Sequence, residues 1–401
     1  MKNNIADEAI LRNCTGCSIC APVCSTKAIR IEYDSDGFYK PIVDESKCIE
    51  CGLCKQSCYK YDKDFKLSDD VLACYAAYNK DAQQLSKSSS GGISRLLMEE
   101  CIVRGYKVLG CTYDLDLNKA RSVIASTVGE LNKFYGSKYF QSYTLDGFEE
   151  ILKDRSEQRY AIFGTPCQIY AFSKTRKYKR NPEKYLLVDI FCHGCPTVNL
   201  WNKYKAQKEI LLKSTRFDNI AFRSKTYGWH EYSIDFYANS RKHTSNKIAD
   251  PFFDLFFGAD VMNQACYDCK ARSTMAYADI RIGDFWGPKY EMNNKGVSAV
   301  LVKSALGQDF INAIREKMIM EDADFRTIIA AQSYGKTIRF NERRRAFLLK
   351  ELKGNKELKI IYSQYRLMLP FKRRVKMRLK EFIKLLPPAL YFPIRKLMHS
   401  I

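Results

Sequence analysis

The 401-residue chain holds no apolar run long enough to cross a bilayer, which argues against a membrane-spanning segment. No apolar stretch follows the opening Met1-Lys-Asn-Asn, so no secretory leader is expected; a cytoplasmic setting, where thiols stay reduced, is. No G-x-G-x-x-G run occurs, which argues against a dinucleotide-binding Rossmann domain. Histidine is scarce, at four residues, and acids are outnumbered, 45 Asp and Glu against 66 Lys and Arg. The resulting charge of +21 comes with no nucleic-acid motif, so nucleic acid is not an expected partner. At 46% apolar residues, the chain has material for real cores, and its length predicts two or three domains.

What the chain has in abundance is cysteine, sixteen in all, half of it in two runs near the N-terminus. The first is Cys14-Thr-Gly-Cys17-Ser-Ile-Cys20-Ala-Pro-Val-Cys24 and the second Cys48-Ile-Glu-Cys51-Gly-Leu-Cys54-Lys-Gln-Ser-Cys58. Each reads C-x2-C-x2-C-x3-C, the spacing that sets three thiolates round one iron–sulfur cube and sends the fourth to its neighbour. Zinc would need only two C-x2-C pairs and leaves a cysteine in each run unexplained. The segment resembles a bacterial two-cluster 4Fe–4S ferredoxin. On that pattern Cys14, Cys17, Cys20 and Cys58 hold one cluster, and Cys48, Cys51, Cys54 and Cys24 the other. The family usually has proline after each fourth cysteine; here Ser25 and Tyr59 stand there.

Residues 1–65 are thus expected to form a ferredoxin module, with a hairpin at 29–43 turning at Asp36-Gly37. A charged linker follows. Beyond it the pattern predicts a strand at 71–78, a helix at 93–104 opened by Ser88-Ser-Ser-Gly-Gly92, and a strand at 106–113 closing a strand–helix–strand unit. A helix at 145–155, strands at 160–164 and 185–191, paired segments at 220–223 and 232–237, a strand at 297–302 and a helix at 307–317 complete a mixed α/β body. From 341 onward, 17 Lys and Arg face four Glu, so this basic helical tail carries +13 of the net charge. The regions are therefore 1–65, 66–158, 159–340 and 341–401.

A second set of cysteines lies in Gly164-Thr-Pro-Cys167-Gln168, Cys192-His-Gly194 and Cys266-Tyr-Asp-Cys269. Together with Ser90-Gly91-Gly92, Gly136-Ser-Lys138-Tyr139, Gly283-Asp-Phe-Trp-Gly287 and Gly296-Val-Ser298, in that order, they resemble the beta-subunit family of coenzyme F420 hydrogenases and dehydrogenases. The resemblance runs from about Val71 to Leu306. It implies a third 4Fe–4S cluster on Cys167, Cys192, Cys266 and Cys269, with Cys195 the rival to Cys192, and a bound flavin, usually FAD. The expected fold is accordingly α+β to α/β: a ferredoxin-like domain fused to a flavin- and cluster-binding body.

For the flavin, the resemblance points to Ser90, Gly91, Gly92, Lys138, Tyr139, Gly296 and Ser298. Glycines let backbone approach a ring or phosphate, and a helix N-terminus favours anionic oxygens. His193 and His230 are the candidate proton donors. Cys74, Cys101 and Cys111 read as core.

The expected function is an iron–sulfur flavoprotein oxidoreductase. It would pass single electrons between a carrier such as ferredoxin and FAD, for two-electron conversion of an organic substrate or the deazaflavin coenzyme. The alternatives are a non-catalytic electron-transfer subunit of a larger redox complex and a peripheral scaffold whose clusters only stabilise the fold. The basic helix at 371–386, stopped by Pro387-Pro388, is a candidate for an anionic membrane surface or an acidic partner.

Overall fold

The computed structural model describes residues 3–384. The N-terminal hairpin pairs β1 (Ile29–Tyr33) with β2 (Tyr39–Val43), and Gly37 takes positive φ in the turn. The body is built on a nine-stranded sheet. Its strands are β3 (Ala73–Asn79), β4 (Tyr106–Asp114), β5 (Lys119–Ala125), β6 (Ser142–Tyr143), β7 (Arg159–Gly164), β8 (Tyr185–Ile190), β12 (Ile280–Asp284), β13 (Ser298–Val302) and β14 (Met318–Asp322), in the order β14-β3-β13-β12-β8-β7-β4-β5-β6. A separate three-stranded antiparallel sheet holds β9 (Asn219–Ser224), β10 (Ser233–Ala238) and β11 (Arg241–Asn246).

The centre of the large sheet, β12-β8-β7-β4, is parallel. Parallel strands need cover on both faces, and the sequences supply it: β13 reads Ser-Ala-Val-Leu-Val and is buried throughout. Its Val300 and Val302 face one core with Leu96, Leu97 and Phe310, while Val297, Ala299 and Leu301 enter another with Trp229 and Phe285. The expected strand–helix–strand unit is corrected in one respect: β3 and β4 share the sheet, but β13, β12, β8 and β7 lie between them. The parallel partner of β4 is β7, which arrives later in the chain.

The small sheet closes an aromatic core around Trp201, Tyr204, Phe236 and Phe252. Helices Glu342–Lys353 and Leu358–Leu367 contribute Leu348, Leu352, Ile361 and Tyr365 to that core. The start of the basic region is therefore part of the body. The last described helix is Phe371–Lys384; the expected stop at Pro387-Pro388 lies outside the described residues.

The cysteine-rich module is hooked to the body by Gln141. Its Nε2 donates to Thr15 O at 2.8 Å and its Oε1 accepts from Tyr39 N at 2.9 Å. Thr144 Oγ1 donates to Cys17 O at 2.8 Å. Gly16, at φ +70°, makes this approach feasible, since a Cβ there would lie 2.8 Å from Gln141 Nε2.

Candidate functional site

Strands β7, β8 and β12 end side by side: Gly164 pairs with Asp189, and Ile190 with Ile282. In open α/β sheets, ligands gather beyond such carboxyl ends. From this edge emerge Thr165-Pro-Cys167, Phe191-Cys192 and Asp284-Phe-Trp286. The first motif is a helix start. Pro166 occupies the first turn of helix Pro166–Ser173, and Gln168 Oε1 accepts from Thr165 N at 2.9 Å. This fixes Cys167, whose Sγ lies 3.2 Å from Thr165 Oγ1.

Cys167, Cys192, Cys266 and Cys269 converge. Cys167 feels the charge of Cys269 and Cys192, and Cys269 that of Cys266 and Cys192. Cys195 joins them, within hydrogen-bonding reach of both Cys192 and Cys266. Gly194 explains the Cys-His-Gly-Cys spacing: its φ is +140°, and a Cβ would meet Met262 Sδ at 2.6 Å and Cys266 Cβ at 3.3 Å. Asn263 completes the junction, its N–H bonding Cys195 O at 2.9 Å while its Oδ1 caps the turn that carries Cys266.

Four buried polar atoms around these sulfurs lack a partner among the described residues: the donors Tyr59 Oη, Asn263 Nδ2 and Arg272 Nε, and His193 Nε2, which donates when its ring proton sits there. The rest of Arg272 is anchored, Nη1 donating to His193 O and Cys266 O and Nη2 to Lys336 O at 2.8 Å. Thiolates ringed by spare donors suit a buried group rich in acceptor sulfurs, so the residues fit an iron–sulfur cube. Among the described residues, no three His, Cys, Asp or Glu side chains close as tightly as a single metal ion requires. A cube holds its thiolates at the corners of a wider tetrahedron.

In the N-terminal module, Cys14, Cys17, Cys20 and Cys58 line one small cavity together with Tyr59. Cys20 feels the charge of the other three thiols. Cys54 feels that of Cys24. Peptide N–H groups bond the sulfurs: Gly16 N lies 3.4 Å from Cys14 Sγ and Ala28 N 3.4 Å from Cys24 Sγ. Asn4 Nδ2 reaches Cys48 Sγ at 3.5 Å. The two groups differ in exposure. Cys17 and Cys20 are buried, whereas Cys51 is exposed beside Ile49, itself 66% exposed. Cys17 in turn acts on Cys167, so the first group faces the body's cysteines.

A cavity of about 630 Å³, within the usual range for cofactor sites, takes in Cys167, Cys192 and Cys195. The same cavity is lined by Ser90, Gly92, Lys138, Tyr139, Ser298 and His193. Gly92, at φ +81°, precedes helix Ile93–Val103 with no side-chain cap, and Ile93 and Ser94 line the cavity.

The structure does not bring every expected residue there. Gly91 and Gly296 are not among the lining residues. Their missing Cβ atoms serve packing instead: one at Gly91 would meet Ala77 O at 2.2 Å, and one at Gly296 would meet Ser90 O at 2.8 Å. His230 is likewise outside the lining, its Nε2 against Tyr290 O at 3.0 Å. His193 is inside, with Nδ1 on Ser333 Oγ at 2.8 Å.

Two half-buried lysines are held as tripods, Lys138 in the cavity wall and Lys225 outside it, behind the lining residue Ser90. Lys138 Nζ donates to Cys111 O, Phe134 O and Tyr135 O, and burial brings its pKa down to about 8. Lys225 Nζ donates to Leu85 O, Ser90 O and Lys295 O, and burial brings it down to about 7. Lys225, Arg272 and Tyr59 carry no local motif; a lone lysine, arginine or tyrosine in sequence gives no sign of a partner far along the chain.

Residues 157–326 match the family described as the C terminus of the coenzyme F420 hydrogenase/dehydrogenase beta subunit, and residues 13–60 match the 4Fe-4S dicluster domain. Among curated proteins, coenzyme F420 hydrogenase subunit beta from Methanococcus voltae is 24% identical over 250 residues, 60% of this chain and 80% of the relative. Among solved structures, a chain of the F420-reducing [NiFe] hydrogenase complex from Methanosarcina barkeri aligns at 17% identity with a TM-score of 0.45, covering 72% of this chain and 92% of that one. All eight N-terminal cysteines of the two runs fall in the dicluster match, and Cys167, Cys192, Cys195, Cys266 and Cys269 fall in the beta-subunit match. The chain thus joins a 4Fe–4S dicluster domain to a region that matches the C terminus of the coenzyme F420 hydrogenase/dehydrogenase beta subunit, the two parts of an iron–sulfur electron-transfer protein.

Proposed function

We propose that this protein is an FAD-dependent iron–sulfur oxidoreductase with three 4Fe–4S clusters in series. The observation that carries the reading is the single cavity shared by Cys167 and Cys192 on one side of the chemistry and by Ser90, Lys138 and Ser298 on the other. Cys24, Cys48, Cys51 and Cys54 would hold the outermost cluster, since Cys51 reaches solvent. Cys14, Cys17, Cys20 and Cys58 would hold the next, and Cys167, Cys192, Cys266 and Cys269 the innermost, with Cys195 the rival to Cys192.

FAD would supply the conversion between one-electron and two-electron steps. The chain's residues prepare for it. The uncapped start of helix Ile93–Val103 offers peptide N–H groups to a phosphate. Lys138 holds positive charge in the cavity wall below its pKa of about 8. His193, next to Cys192 and in the cavity wall, has a ring nitrogen with no partner among the described residues and is the candidate proton donor to substrate. The carrier would be an acidic ferredoxin or the deazaflavin coenzyme, and the substrate a small organic molecule, in either direction of flow. Anaerobic purification with iron and flavin quantitation tests the reading. About twelve iron and one FAD per chain are expected for three cubes; no extractable flavin and iron well under eight would overturn it.

A second reading is favoured by the curated relative from Methanococcus voltae, which is named as one subunit of a hydrogenase. The chain would then pass electrons to a partner polypeptide that performs the chemistry. Co-purification of that polypeptide, with no turnover by the chain alone, would establish it. In either reading the helix Phe371–Lys384 would rest on an anionic lipid surface. Phe371, Val375, Leu379 and Phe382 are exposed along it among seven Lys and Arg, while Met377 is buried and Arg366 pairs with Glu381.

A further inference from the structure

Tyr59 stands where the ferredoxin pattern usually places proline, directly after the ligand-spaced Cys58. It is 5% exposed. Its ring is held edge-on by Tyr170, with centroids 5.2 Å apart, and shares an apolar cluster with Cys167 and Cys269 of the body. The same residue lines the small cavity of Cys14, Cys17, Cys20 and Cys58. It therefore sits at the junction of two cysteine groups that lie far apart in sequence. Its hydroxyl has no hydrogen-bond partner among the described residues. A buried hydroxyl without a partner is costly and calls for an acceptor at that place. The thiols acting on it are, in order, Cys269, Cys167, Cys17 and Cys266, three of the four belonging to the body.

We propose that Tyr59 donates its O–H to a sulfur of the innermost cluster, and that this hydrogen bond raises that cluster's reduction potential relative to the N-terminal pair. A donor stabilises the cluster more as it gains negative charge, so the bond favours the reduced state and draws electrons inward. No proton is transferred; Tyr59 tunes and positions. A proline there would have neither the ring nor the donor. The inference rests on the three-cluster reading of the proposed function.

The test is an EPR-monitored redox titration of the full-length anaerobic protein, with iron counted in each sample. In Tyr59→Phe, the innermost cluster's reduced-to-oxidised ratio at a fixed potential should fall about tenfold, ~59 mV for a one-electron couple. The N-terminal clusters should keep their potentials. Placing 3,5-difluorotyrosine at position 59 strengthens the donor without changing its shape and should move the potential the other way, which keeps the proposal open to test if the phenylalanine variant loses iron. Tyr61→Phe removes another buried, unpartnered hydroxyl two residues on and should leave the innermost cluster unmoved. About twelve iron with an unshifted innermost potential in both position-59 variants, or a shift confined to the N-terminal clusters, would overturn the role of Tyr59. Eight iron in the wild-type protein would instead remove the three-cluster reading itself, and the inference with it.

Discussion

Arg281 and Asp189 form a two-pronged buried ion pair, Nε to Oδ1 at 2.6 Å and Nη2 to Oδ2 at 2.5 Å, three residues before Cys192. Arg281 also donates to the carbonyls of Arg272 and Ala271, so it ties β8 and β12 to the loop after Cys269. Asp189→Asn should strand a buried guanidinium and cost about 3–5 kcal/mol of stability by urea denaturation. Asp189→Leu combined with Arg281→Met should recover much of that loss. A single variant as stable as wild type would contradict the role given to the pair.

Gly194→Ala forces a Cβ into Met262 and Cys266 at a φ of +140°. The loops carrying Cys192 and Cys266 must then separate. Iron per chain should fall by about a third if the proposed cluster of the body is lost, with the EPR signals of the N-terminal clusters retained. Full iron content in this variant would argue against convergence of these loops on one cluster.

Lys225 is held with a pKa of about 7 by burial, against ~10.4 for an unfolded lysine. Between these values the unfolded chain binds the extra proton, so stability should rise with pH at up to ~1.4 kcal/mol per unit and level off outside the window. Below about pH 7 both states are protonated and the burial penalty is fully present. Lys225→Met should lack this contribution. The stability difference between wild type and variant should therefore shift toward wild type from about pH 7 to about pH 10. A difference that stays flat with pH would show that the lysine is charged when folded.

Ile49 and Cys51 mark the solvent-facing edge of the outermost cysteine group. Ile49→Glu should lower the second-order rate of reduction by an external carrier about tenfold in stopped-flow, leaving iron content and the innermost potential unchanged. An unchanged rate would move carrier docking elsewhere.

For the basic helix, co-sedimentation with phosphatidylserine-containing vesicles should capture the wild-type protein at low salt. A Phe371→Ser, Leu379→Ser, Phe382→Ser variant should stay in the supernatant. Equal, negligible binding by both would exclude the lipid surface.

Much of the site was legible because its signals are local. The spacing of Cys14 to Cys24 and of Cys48 to Cys58 states a ligand geometry within a few residues, and Thr165-Pro-Cys167-Gln168 spells a helix start. Strand β11 was not legible, since Arg-Lys-His-Thr-Ser-Asn has no alternation of apolar residues. Nor was the burial of Leu348 and Leu352, which sit among arginines and lysines but pack in the core with Trp201. The Arg281–Asp189 pair spans 92 positions, and such partners become visible only once β8 and β12 lie side by side. Gly91 and Gly296 were read as cofactor contacts because glycine permits close approach; what approaches them is the protein's own backbone.

The anchoring of the hairpin by Gln141 has a kinetic corollary. An amide that answers both a peptide donor and a peptide acceptor behaves like an extra rung of backbone pairing, and it opposes a swinging motion of the module. On the proposed route, charge crossing from one half of the molecule to the other would not wait for a tethered search, and thickening the solvent with glycerol should leave the internal step unchanged.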